Sequence, residues 1–266
     1  MTQKKTTTQF TILSSLAVAL ATWSADRAAH AAAPNEGAAP VAASAGATAM
    51  EKAAKDNKYL FVFFYAGQDE QTAAMNGVLQ TAMTKMSDRA NTISINIADP
   101  AEKPIVDKFG IRGAPMPLVL AIAPTGAPTR AFPKTFTDAQ LQQAFVSPCT
   151  AKCMRAIFER RSVLLCVQSD KTQSNKEATQ GVEAFKADPQ YTKGTEIVVL
   201  NPADNAEQPF LKALQVDPQT PTAVTLLVTP PGAPVARFAG AVTKEQIEAA
   251  VKAAQSSCGP GCSCHH

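Results

Sequence analysis

A chain of 266 residues with 45% apolar side chains is long enough to bury one or two cores. Its 25 Lys and Arg stand against 22 Asp and Glu for a formal net charge of +3, and they are scattered among the acids, so the electrostatic footprint of a nucleic-acid-binding protein is missing. His30 sits near the N-terminus and His265 and His266 close the chain, which leaves the body without an imidazole base for a Ser-His or Cys-His hydrolase.

The N-terminus opens with a basic "MTQKK", continues with the apolar "FTILSSLAVALATW", and offers small-residue cleavage sites at 19–21 and 29–31. This is the pattern of a signal peptide, expected over residues 1–31, and it directs the mature chain to the periplasm or to secretion. The apolar run falls short of the roughly 20 residues a spanning helix needs, and no Cys follows it for lipid attachment, so no stable membrane span is expected after cleavage. Residues 32–48, rich in Ala, Pro, Gly and Ser, read as a disordered tether.

A first domain is expected over 49–146. A short helix (49–56) turns through Asp56-Asn57 into the buried strand of "KYLFVFFYA". After the polar "GQDEQ", a helix from Thr72 to about Arg89 places Ala74, Val78, Leu79, Met83 and Met86 on one face, an ordinary core stripe. "TISINIAD" alternates as a strand and "PAEKPIVDKFG" makes a second helix. "PLVLAIAPTGAPTRAF" forms two strands around a Pro-Thr-Gly turn, and "TDAQLQQAF" is a capped helix.

A second domain, over 147–255, repeats that order: the helix of "SPCTAKCMRAIFERR", the strand of "SVLLCVQ", a helix, the strand of "TEIVVLN", a helix, a hairpin and a last helix in "TKEQIEAAVKAA". Strands alternating with helices before an antiparallel hairpin define an α/β architecture, with a mixed β-sheet flanked by helices in each half.

At "DKFGIRGAPMPLVLAIAPTGAPTRAF" the first half resembles thioredoxin, whose third helix runs into a Gly-Ile-Arg-Gly turn, a cis-proline and the closing hairpin. The resemblance implies two tandem thioredoxin-like domains, with the cis-proline at Pro115, or alternatively at Pro117, and at Pro221 in the second half. It also exposes a departure. Aligned without gaps, Asp69 and Thr72 stand where a thioredoxin carries its Cys-x-x-Cys pair, and Phe63 stands where it buries an acid; the corresponding "QSDKTQSN" of the second half has no cysteine. In this respect the halves look like the non-catalytic domains of protein disulfide isomerases and calsequestrin-like proteins. That resemblance implies a shallow groove for a protein or extended-peptide partner.

The six cysteines lie beyond the first domain. Ser147 and Pro148 start a helix in whose first turn Cys149 falls, so its thiolate is expected to be stabilised; Cys153 follows one turn on. Four residues apart within a helix, the two are poorly placed to bond each other and suit soft-metal ligation or bonds to other parts of the chain. Cys166 reads as a buried strand residue. The tail at 256–266 places Cys258, Cys262, Cys264, His265 and His266 around a Gly-Pro-Gly turn. Thiolate with imidazole suits zinc, and thiolate-rich sets suit copper(I); a structural disulfide or exchangeable thiols remain open alternatives for the tail.

The function expected from these residues is an exported, non-catalytic binding or scaffold protein whose tail takes a soft metal, Cu or Zn. The alternative is an atypical thiol-disulfide oxidoreductase working through Cys149, Cys153, Cys258 and Cys262.

Overall fold

The computed structural model describes residues 44–257. The expected signal peptide, most of the tether and the whole Cys/His set of the tail, from Cys258 to His266, lie outside the described residues. In chain order the first repeat contains α1 (Ala45–Lys55), β1 (Tyr59–Tyr65), α2 (Glu70–Thr84), β2 (Ala90–Asn96), α3 (Lys103–Lys108), β3 (Leu118–Ile122), β4 (Pro128–Pro133) and α4 (Asp138–Gln142). The second contains α5 (Pro148–Phe158), β5 (Ser162–Val167), α6 (Asn175–Ala187), β6 (Thr195–Leu200), α7 (Gln208–Ala213), β7 (Val224–Thr229), β8 (Ala233–Ala239) and α8 (Lys244–Ser257).

Each repeat builds a four-stranded sheet, in the order β2-β1-β3-β4 and β6-β5-β7-β8. β1 pairs β2 in parallel, Tyr59 opposite Ala90, and β3 and β4 close the sheet antiparallel. β5 to β8 pair in the same senses. The central strands read as continuous apolar runs because both of their faces are covered. Phe61 and Phe63 of β1 pack with Leu79 of α2 and Leu141 of α4, whereas Leu60, Val62 and Phe64 pack with Ala53 of α1 and Ile105 of α3. In the second repeat Val163 and Leu165 face α5 and α7, and Leu164 and Cys166 face α6 and α8.

Three local expectations are refined. α1 begins at Ala45 because Ser44 caps it, its hydroxyl accepting the Ala47 amide, so ordered structure starts ahead of residue 49. The buried stripe of α2 is Met75, Leu79, Ala82 and Met83, with Met86 just beyond the helix; Ala74 and Val78 are exposed. Ala74-Val78 and Met75-Leu79 form adjacent stripes of equal periodicity, and the larger methionine takes the core. The cis peptide bonds among the described residues are Met116–Pro117 and Pro230–Pro231, so the assignments to Pro115 and Pro221 are corrected. An X–Pro amide prefers trans by only about 0.5–1 kcal/mol, and local sequence therefore cannot choose between neighbouring prolines. Pro117 directly precedes β3, where its carbonyl accepts the Lys134 amide at 2.9 Å. Pro221 instead lies in a bend ahead of β7, its carbonyl accepting the Gln173 amide at 2.9 Å beside the Gln173–Thr222 bridge.

α5 also joins the repeats. Ala151 packs with Ala123 and Ala127 at the end of the first repeat's hairpin, with Tyr59, Val146 and Met154 around them. Phe109 stacks on Phe158 with centroids 5.5 Å apart. That hairpin end reads Pro124-Thr125-Gly126-Ala127-Pro128, and the second repeat carries its counterpart as Pro230-Pro231-Gly232-Ala233-Pro234. Ala127 is fully buried, whereas Ala233 is exposed.

Candidate functional site

The segment between β1 and α2 occupies the place of a thioredoxin's redox loop. Asp69 is the N-cap of α2, and its carboxylate accepts the Thr72 amide at 2.7 Å. That bond holds the Asp69 carboxyl below its ordinary value. The Thr72 amide and the helix dipole, which would stabilise an attacking thiolate there, face the chain's own carboxylate instead. Phe63, at the position where thioredoxins bury an acid, is 1% exposed and packed in the apolar core.

In the second repeat the corresponding loop is held by a polar network rather than by a cap. Thr172 donates its hydroxyl to the Ser169 carbonyl and lies 2.6 Å from Asn175 Oδ1, while Asn175 Nδ2 donates to the Ser169 carbonyl at 2.7 Å. Between this loop and the Pro221 loop lies a groove of about 510 Å³, bordered by Ser169, Lys171, Pro202, Gln208, Gln219 and Pro221. Prolines fix its walls, and the amides and the lysine supply polar contacts.

Cys149 and Cys153 lie on α5, against the face of the second sheet lined by Val163 and Leu165. Cys149 is half-buried; its amide donates to Glu207 Oε1 at 3.0 Å and its Sγ lies 3.4 Å from the Val199 carbonyl. The expected stabilisation of its thiolate is corrected. Burial, with the Glu207 carboxylate beside it, pushes the Cys149 thiol up to about 11. Burial pushes Cys153 up to about 12, with Cys149 and Glu207 adding to it, and burial alone dominates the rise of Cys166 to about 11. Burial outweighs the first-turn dipole, and the Glu207 carboxylate seated on that turn adds to the rise. All three carry free thiols. Cys166 faces the opposite side of the sheet, with α6 and α8. No group of three His, Cys, Asp or Glu placed to hold a metal occurs among the described residues.

Glu207 is a residue that sequence reasoning passed over. It is 1% exposed, and it also accepts the Ser147 hydroxyl at 2.5 Å. Glu102 does the same in the first repeat: it accepts the Ser44 hydroxyl at 2.7 Å and the Ala45 amide at 2.8 Å. The signal was readable as Asn-x-Ala-Asp-x-Ala-Glu-x-Pro, which occurs at 96–104 and again at 201–209. In both copies the Asn and Asp close turns on the Ala two residues ahead, and these turns deliver the Glu to the first helix of its repeat.

The β-α-β-α-β-β order preceded by a further helix, a parallel first strand pair, an antiparallel closing hairpin and helices on both faces define each repeat as a thioredoxin-like domain, and the chain as two of them in tandem. No family model and no curated protein matches the chain. Among solved structures, human ERp44 in its zinc-bound form aligns with 80% of this chain at 9% identity and a TM-score of 0.33; the match covers 60% of that chain, less than two thirds of its length. The first two thioredoxin domains of Saccharomyces cerevisiae Eps1p align with 78% of this chain and 95% of their own at 10% identity and a TM-score of 0.31. Oxidised thioredoxin O2 from Arabidopsis thaliana aligns with 36% of this chain and 80% of its own at 14% identity and a TM-score of 0.30. These are similarities to known structures; the fold assignment rests on the strand order and register. No helix among the described residues is long and apolar enough to cross a membrane.

Proposed function

We propose that this chain is an exported, non-enzymatic thioredoxin-like binding protein, whose second-repeat groove takes an extended peptide partner and whose Cys/His tail takes a soft metal, Cu(I) or zinc. The observation that carries the non-enzymatic reading is the Asp69 carboxylate seated on the Thr72 amide, at the helix start where the chemistry of the fold needs a thiolate. Thiols held at about 11 and 12 on α5 argue in the same direction, since the thiolate is the nucleophile and little of it forms at neutral pH. Export is supported by the basic and apolar N-terminal pattern, and the metal by five thiol and imidazole side chains within the last nine residues.

The test is reductive cleavage of insulin disulfides with dithiothreitol as the reductant. The full-length mature chain is expected to add nothing to the uncatalysed rate. Turnover that disappears on Cys149→Ser or Cys258→Ser would overturn the reading in favour of thiol-disulfide exchange.

A further inference from the structure

We propose that Cys149 and Cys153 form a dithiol site that binds one trivalent arsenic centre, through a bond from each sulfur to the same atom. The two cysteines stand one turn apart on the same helix, Cys149 in its first turn and Cys153 beneath it. Both belong to one packed cluster, and the charge of Cys149 acts on Cys153.

Helix geometry decides what such a pair can do. Cβ atoms four residues apart lie about 5–6 Å from each other. A disulfide wants its Cβ atoms within about 3.5–4.5 Å, so a direct S–S bond would have to unwind the turn. A single large atom between the two sulfurs bridges the wider gap with the helix intact. The free thiols of an exported chain are therefore available for capture by a thiophilic atom rather than lost to a disulfide with each other.

Two sulfurs do not make the tetrahedral set that zinc requires, and no third His, Cys, Asp or Glu completes a metal site among the described residues. Charge then chooses between soft partners. Glu207 accepts the Cys149 amide at 3.0 Å, and Glu196 also acts on Cys153, so two thiolates carrying a monovalent cation would leave a net negative complex beside carboxylates. An aryl arsenoxide avoids this. Its As=O group takes the proton of each thiol as two As–S bonds form, one water leaves, arsenic stays trivalent and the product is neutral. Thiols that are protonated at neutral pH suit this condensation. Entry is from the edge of the sheet, where Cys149 is half-buried beside Val199, which is 54% exposed; Cys153, 7% exposed, closes the ring second.

The experiment uses the full-length chain with Cys258, Cys262 and Cys264 replaced by Ser, and phenylarsine oxide as the probe, read by intact mass and by competition with a monothiol. One adduct per chain is expected, with the mass of the arsenical less one water, resistant to excess monothiol and removed by a small dithiol. Cys149→Ser and Cys153→Ala should each weaken retention by about 10²-fold or more, the scale on which a second attachment becomes intramolecular. Retention unchanged in Cys153→Ala, or absence of the adduct in the parent, would overturn the proposal. Should Cys153→Ala fail to fold, alkylation mapping of the parent decides: the arsenical must protect Cys149 and Cys153 together, and protection of Cys149 alone overturns it.

Discussion

The Glu207 carboxylate accepts the Ser147 hydroxyl at 2.5 Å across sixty residues of chain, and Glu102 stands to Ser44 in the same relation at 2.7 Å. Each bond ties the start of one repeat's first helix to the turn that follows its second strand, so helix entry and sheet edge are set together. Truncating Glu207 to Ala leaves the Ser147 hydroxyl and the Cys149 amide short of a buried partner. The expected loss is about 1–3 kcal/mol, seen as a lower urea midpoint. Glu102→Ala should cost a similar amount through the Ala45 and Gly46 amides. An unchanged midpoint in both variants would mean that water replaces the carboxylate without loss.

Alkylation of Cys149 by iodoacetamide should rise with pH toward a midpoint near 11, rather than near the value of about 8.5 for a free thiol. Glu207→Gln removes a neighbouring negative charge and should move the midpoint down. For stability the sign follows directly. The folded-state values of Cys149 and Cys153 lie above the unfolded one, so their contribution is present at neutral pH and is lost as pH rises through about 11 and 12. Cys153→Ala should flatten the alkaline limb of the stability profile.

Asp69 titrates below its ordinary value because its charged form accepts the Thr72 amide. A folded carboxyl shifted down stabilises above the unfolded value and loses that contribution as pH falls through the folded one. The carboxyl carbon of Asp69 should therefore show an NMR midpoint below 3.8, and Asp69→Ala should speed exchange of the Thr72 amide while Asp69→Asn largely preserves it. A midpoint at or above 3.8 would contradict the cap.

The Tyr59 hydroxyl donates to the Val146 carbonyl at 3.1 Å and accepts the Val146 amide at 2.9 Å, pinning the link between α4 and α5. Tyr59→Phe keeps the ring against Phe145 and removes both bonds. A loss of about 1–3 kcal/mol is expected, together with faster amide exchange at Val146. Stability within error of the parent would show that the link is held by packing alone.

For the tail, reduced full-length protein should bind about one equivalent of copper(I) or zinc through thiolates, with proton release. Cys258→Ser combined with Cys262→Ser should abolish it. Binding that survives this change would remove the tail from the proposed function.

The two-repeat plan was legible because the apolar runs of Leu60–Phe64 and Val163–Val167 alternate with amphipathic helices in the same order twice. The phase of α2 was less so, since Ala74-Val78 and Met75-Leu79 satisfy helical spacing equally well. Asp69 and Thr72 were placed at the redox position by alignment, but that Asp69 caps the helix depends on a 2.7 Å bond. Glu207 was overlooked because a glutamate in a polar stretch ordinarily reads as solvated, even though its nine-residue motif occurs twice.

By itself the sequence determined the tandem order of elements, the absence of a Cys-x-x-Cys pair, and the apolar strands that must be covered on both faces. These follow from periodicity and residue type, which act over a few residues. The tertiary structure decided which proline turns cis, which stripe of α2 is buried, and the state of Cys149. The thiol that local helix rules would activate is instead raised by burial and by a carboxylate 58 residues away, and a field of that kind exists only once the second sheet has brought Glu207 to the start of α5.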